Sequence, residues 1–312
     1  MLAVKTLAPK SVIFRRNIRL MGDQYEISVV GSNPAWADDR IDDAIAEINR
    51  VEKLLSTFSD DSSINDINRN AGIRAVKTDA EIFRLIDRSM QISGLTDGSF
   101  DITYYTPEKE DSFLNTTKTT LKAAVNKVSY QDVILNHKDQ TVFLKEKGMR
   151  IGFGANCKGY AADRAKYVLQ INGVSSGVIN AGGDLLAWGA QPDNEPWTIG
   201  TADTSQKSAS FANLNISNMA IATSINAEKY TAPISKKHSG STGVKKGFSV
   251  SGIQSVKIIS PSAELADSMA TPVMSIGINA GLYLINQLNQ MACIIVDDHE
   301  RIYTSKDINI VN

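Results

Sequence analysis

Two periodicities alternate along the chain. Residues 25–31, YEISVVG, are rich in β-forming residues and stop at Gly31, after which Ile41, Ala44, Ile45, Ile48, Val51, Leu54 and Leu55 recur at helical spacing. This predicts a strand followed by a long amphipathic helix. SDDSSINDINRNAG reads as a polar turn with a short helix, and TDAEIFRLIDRSMQISGLTDG as a longer helix with an Asp cap and a glycine stop. DVILN and TVFLK, separated by HKDQ, predict a hairpin. KGYAADRAKYVLQING reads as a helix ended by Gly173, followed by a strand GVIN, a Gly182-Gly183-Asp184 turn and a strand LLAWG. WTIGTAD, MAIATS and SVKIIS read as strands, and SAELADSMATPVMSIG as a helix strained or ended at Pro272. ACIIVDDHERIYTS reads as a hairpin turning at Asp297-Asp298.

Helices mixed with hairpins, without regular βαβ alternation, predict an α+β fold with mixed or antiparallel sheets flanked by helices. No repeat or linker divides the chain, so residues 1–312 are expected to form one domain, with the lysine-rich stretch 106–125 as a mobile insertion.

Composition narrows the function classes. A 42% hydrophobic content supports a substantial core, and a net charge of -1 lacks the basic excess of a nucleic-acid binder. Cys157 and Cys293 lie far apart and outside any Cys-x-x-Cys spacing, which leaves a disulfide open but supports no metal or redox motif. No segment approaches the roughly 18 apolar residues of a membrane span. The N-terminal stretch has no signal-type apolar core, so a cytoplasmic location is expected, although a trimmed exported protein would look the same.

Candidate chemistry lies in short motifs. Asp267 and Thr271 stand four residues apart on a predicted helix, a spacing that puts a carboxylate and a hydroxyl on one face. Two hard oxygens so placed can hold Mg²⁺ or Ca²⁺; equally, they can be a surface carboxylate and a threonine bonded back to its own helix. His137 and His299 fall in polar turns. His238 lies in SKKHSGSTGVKKG, where an imidazole among lysines can serve as a base beside an anion or sit idle in a basic loop. LTDGSFD can grip a nucleotide or merely stop a helix, and FGANCKGYAAD offers glycines near a helix start. Neither a Rossmann nor a Walker phosphate loop occurs.

Taken in order, RLMGDQYEISV, LLSTFSDDSSINDIN, TDGSFDIT, KGYAADRA, NAGGDLLAWG, WTIG, AIATS and ELADSMAT resemble the successive motifs of the FAD:protein FMN transferases, the ApbE family of flavin transferases. The likeness runs from about residue 15 to about residue 305. It implies Mg²⁺-dependent transfer of the FMN part of FAD to a threonine of an acceptor flavoprotein, with release of AMP. By resemblance the metal is held by the main-chain oxygen of Cys157 and by Asp267 and Thr271, and His238 is the base. The FAD contacts carried over are Met21, Phe58, Ser99, Phe100, Asp101, Tyr160 and Asp163. The chain departs from the family pattern at Asp23, Phe58 and Gly152, and its His238 loop is short and lacks the Asp-Pro pair. FAD hydrolysis to FMN and AMP and a non-catalytic flavin-binding module are the alternative readings.

Overall fold

The computed structural model describes residues 11–57, 59, 62–106, 128–154, 157–198, 215–225 and 252–306. It opens with a hairpin of β1 (Val12–Leu20) and β2 (Asp23–Gly31). The two strands are joined at Met21–Gly22, both with positive φ, in register from Val12↔Gly31 to Leu20↔Asp23. Helix α1 (Pro34–Leu55) follows, with the Asn33 side chain accepting from the Trp36 N–H and a proline at the start. Of the stripe its spacing predicts, Ile41, Ala44, Ile48, Val51 and Leu55 are buried, Ile45 and Leu54 are half-buried at its flank, and Ala37 joins it one turn earlier.

Next come α2 (Ser63–Arg69), β3 (Val76–Lys77), α3 (Ala80–Leu95) and β4 (Thr103–Tyr105). Asp79 caps α3, and the Gly98 N–H closes its far end onto the Ser93 carbonyl at 2.8 Å. Strands β5 (Val133–Asn136), β6 (Thr141–Leu144) and β7 (Met149–Ile151) then form small sheets, β3-β6-β5 and β4-β7. The buried Asn68 carboxamide ties α2 to β7, donating to the Ile151 carbonyl at 3.0 Å and accepting from its N–H at 2.8 Å.

Helix α4 (Cys157–Ile171) leads to β8 (Gly177–Ala181) and β9 (Asp184–Trp188), and β10 (Ala220–Ile225) and β11 (Ile253–Ser260) follow. The fold closes with α5 (Ala263–Ile276), α6 (Ile278–Ile285), β12 (Ala292–Asp297) and β13 (Ile302–Thr304). The main sheet has the order β1-β2-β8-β9-β10-β11-β12-β13, and every neighbouring pair is antiparallel. Helices α1, α4 and α5 cover one face of it. On the opposite face Trp197 and Ile216 pack with Ala187, Ile221, Ile259 and Ile294.

Two expectations change. The segment beginning at Trp197 is not a strand of the sheet: it makes isolated bridges at Pro196 and Thr198, and residues 199–214 lie outside the described ones. Helix α5 runs through Pro272 to Ile276, because Met269, Ala270, Pro272 and Val273 all stay buried in the core and that packing outweighs the missing hydrogen bond. The cysteines are free thiols. Of the stretch 106–125, all but Thr106 lies outside the described residues. No helix among those described is long and apolar enough to cross a membrane.

Candidate active site

Antiparallel pairing brings several chain ends to one edge of the main sheet. Tyr25 pairs with Ala181, so the Met21–Gly22 turn before β2 lies beside the Gly182–Gly183 turn between β8 and β9. The Thr223 N–H of β10 donates to Asp184 at 2.9 Å. Against this edge stand the first turn of α4 and the middle of α5.

Asp267 projects from α5 and accepts a hydrogen bond from the Gly159 N–H at 3.1 Å. Burial, reinforced by the nearby Asp184 carboxylate, pushes its carboxyl up to about 7, although the Gly159 N–H and Lys158 pull the other way. Asp184 is raised for the same first reason, burial, against the Thr223 N–H and Lys158. Thr271, one turn on from Asp267, is exposed, and its hydroxyl is 3.4 Å from that of Ser224 on β10. Lys158 meets Asp23 at 3.0 Å. That contact holds the Asp23 carboxyl below its usual range, and for Lys158 it outweighs the lowering effect of burial, so the ammonium is kept charged. Burial and the Asp267 and Glu52 charges push the Cys157 thiol up to about 12, so its sulfur stays protonated.

The donor set fits a hard divalent cation: a carboxylate short of positive charge, with hydroxyls one turn away and main-chain oxygen at the helix start. The protonated sulfur of Cys157 is not part of that set. Among the described residues no three His, Cys, Asp or Glu side chains are grouped for metal binding, so such a site relies on Asp267 with neutral oxygens.

The residues assigned to FAD by resemblance are spread more widely. Met21 lies near the edge, its sulfur accepting from the buried Tyr25 hydroxyl at 3.3 Å. Ser99 is exposed and Phe100 buried in the turn after α3. Asp101 accepts from the Thr103 and Tyr130 N–H groups, and the Ile102 carbonyl accepts from Gly152, joining this turn to the segment before α4. Tyr160 donates to Glu81 at 2.6 Å, within a network in which Arg50 and Arg164 also bond Glu47 and so link α1, α3 and α4. The Asp163 carboxylate is taken up by α5, accepting from the Ser262 hydroxyl and the Ala263 and Glu264 N–H groups at 2.8–3.0 Å. Phe58 and His238 lie outside the described residues. Sequence reasoning overlooked Asp23 and Ser224 as members of the edge. Only the position of Asp23 directly after Met-Gly offered a signal.

Perturbed charges gathered at one sheet edge, beside an open crevice, have the make-up of an α+β enzyme site. The comparisons agree. The ApbE family profile matches residues 21–295, and the chain belongs to the ApbE family. Among its relatives is an FAD:protein FMN transferase of Klebsiella pneumoniae (strain 342), 26% identical over 274 residues, which cover 83% of this chain and 82% of the relative. An FAD:protein FMN transferase of Treponema pallidum (strain Nichols) is 22% identical over 312 residues, covering 93% of this chain and 86% of the relative. The fold resembles the flavinyl transferase ApbE of Pseudomonas stutzeri, apo form, with a TM-score of 0.73 at 22% identity, covering 95% of this chain and 96% of that one. The ApbE protein of Thermotoga maritima gives a TM-score of 0.72 at 23% identity, covering 94% and 97%.

Proposed function

We propose that this protein is an FAD:protein FMN transferase that uses Mg²⁺ to move FMN from FAD onto a threonine of an acceptor flavoprotein and releases AMP. The observation that carries the reading is the Asp267 carboxylate of α5 held by the Gly159 N–H beside Lys158 in the first turn of α4, where family membership leads one to look for the reacting pyrophosphate.

In this reading the acceptor threonine oxygen attacks the phosphorus of the FMN part of FAD. A new P–O bond forms, the P–O bond of the pyrophosphate bridge breaks, and AMP leaves with the electron pair. His238 takes the threonine proton. Asp267, Thr271 and the Cys157 main-chain oxygen would hold the cation, which would supply positive charge against the pyrophosphate. Gly159 directs its N–H at Asp267 and so fixes the carboxylate against α4. Met21, the turn at Ser99, Phe100 and Asp101, and Tyr160 line the approach of the flavin nucleotide, and Asp163 keeps α5 seated beside them.

The test is incubation of FAD and Mg²⁺ with and without a threonine-bearing acceptor flavoprotein, followed by in-gel flavin fluorescence. Covalent flavin on the acceptor is expected from the wild type and none from Asp267→Ala, with the fold of the variant intact by circular dichroism. Rapid FMN release that needs no acceptor would make the protein a pyrophosphatase instead.

A further inference from the structure

Lys158 is the cation in direct contact with Asp23 at the sheet edge, and acidic groups surround it. Its ammonium meets Asp23 Oδ2 at 3.0 Å, while Asp184 and Asp267 act on it from β9 and α5. Asp23 is itself closely held. The Gln24 N–H donates to its other oxygen at 2.9 Å, and a Cβ on Gly182 would stand only 2.4 Å from Oδ2. One fixed carboxylate therefore links the Met21–Gly22 turn, the Gly182–Gly183 turn and the first turn of α4.

The pair is nevertheless reachable. Side-chain exposure is 33% for Lys158 and 42% for Asp23, and a crevice of about 260 Å³ opens beside Asp23 between Asn17, Gln24, Glu26 and Gly182. A half-exposed ion pair contributes little to stability, so folding alone is a weak reason for the arrangement. An ammonium so placed can exchange a carboxylate partner for a phosphate oxygen, which it binds as a point charge.

We infer that Lys158 binds a phosphoryl oxygen of the substrate pyrophosphate, and that Asp23 is a positioning residue holding the ammonium in place until that anion displaces it. The inference rests on the flavin-transferase reading, which supplies the pyrophosphate. Asp23 acts only through Lys158, and the riboflavin end of the substrate does not depend on the pair.

The experiment measures equilibrium binding of FAD, riboflavin and inorganic pyrophosphate to the full chain in the presence of Mg²⁺. Lys158→Met is expected to weaken FAD and pyrophosphate about tenfold, the worth of one charge-assisted contact, and to leave riboflavin unchanged. Lys158→Arg is expected to retain most of the affinity. Asp23→Asn should tighten pyrophosphate binding several-fold with Lys158 present and not at all in the double variant, an order-of-magnitude expectation for removing a competing charge. Lys158→Gln serves if Lys158→Met fails to fold. Equal FAD and pyrophosphate affinity in wild type and Lys158→Met overturns the inference, as does an Asp23→Asn effect independent of Lys158 or a wild type that binds neither anion. Lys158-dependent binding without transfer to any threonine acceptor supports the anion role and overturns the transferase reading alone.

Discussion

The Asp267 carboxylate and the Gly159 N–H, 108 residues apart in the chain, meet at 3.1 Å, so a side chain of α5 caps the first turn of α4. The contact needs glycine: a Cβ at position 159 would stand 2.3 Å from the Ala263 carbonyl oxygen and 2.9 Å from Asp267 Cβ. Gly159→Ala must therefore push α4 and α5 apart. Overpacking of this kind costs about 1–3 kcal/mol. Thermal denaturation should show a lower Tm, and flavin transfer assayed well below that Tm should still be impaired because Asp267 has moved. Unchanged melting would contradict the close approach.

Gly182 makes the same demand on the other side of the edge. Its φ of +67° and its contact with Asp23 both exclude a side chain. Gly182→Ala is expected to lose about 1 kcal/mol from backbone strain and to break the Asp23–Lys158 pair. In a steady-state assay the change should appear as a lowered KM for FAD, because the carboxylate no longer competes with the substrate for Lys158. A variant with wild-type KM would mean that Asp23 finds another way to reach Lys158.

Asp163 supports the site from behind. Its carboxylate serves three donors at the start of α5, where the Ser262 side chain also caps the Leu265 N–H. Loss of such a cap costs about 1–2 kcal/mol. Asp163→Ala should lower the urea midpoint with little change in KM for FAD. A raised KM with undiminished stability would instead make the carboxylate a flavin contact, as the resemblance implies.

Acid sensitivity of the fold should arise in the β12–β13 turn, on the same sheet edge two strands beyond the end of β10. Burial alone would raise the Asp297 carboxyl, but the Arg301 N–H and guanidinium and then the His299 N–H, all donating to it, bring it from 3.8 down to about 2. A depressed folded pKa gives stability that is present above the unfolded value and lost as pH falls through the folded one. Asp297→Asn is accordingly expected to lower Tm at neutral pH, and the gap to wild type should narrow between about pH 4 and pH 2. A constant gap across that range would show that the carboxylate charge does not matter there.

Much of the fold was legible in the residue pattern. The stripe of α1 from Ile41 to Leu55, the Asp79 cap, the hairpin around HKDQ and the strands flanking Gly182–Gly183 follow from local periodicity and turn chemistry. Strand β1, with its run of Arg15, Arg16 and Arg19, was not. Its Arg16 is satisfied by Asp38 and Asp42 of α1, partners that local sequence cannot supply. Pro272 likewise marks a helix end locally, whereas the buried face of α5 carries the helix on.

For the site, the order of short motifs was enough to point to the ApbE family and to pick out Asp267 and Thr271 as a pair, since a spacing of four residues on a helix fixes their common face. The Gly182-Gly183-Asp184 turn proves to be a tight hairpin and part of the charged sheet edge at once, because antiparallel pairing with β2 sets it against Asp23. Which charges share that edge was decided by tertiary structure alone. Asp23, Lys158, Asp184 and Asp267 come from four segments, and their mutual fields depend on through-space distance and burial, quantities that no spacing along the chain encodes.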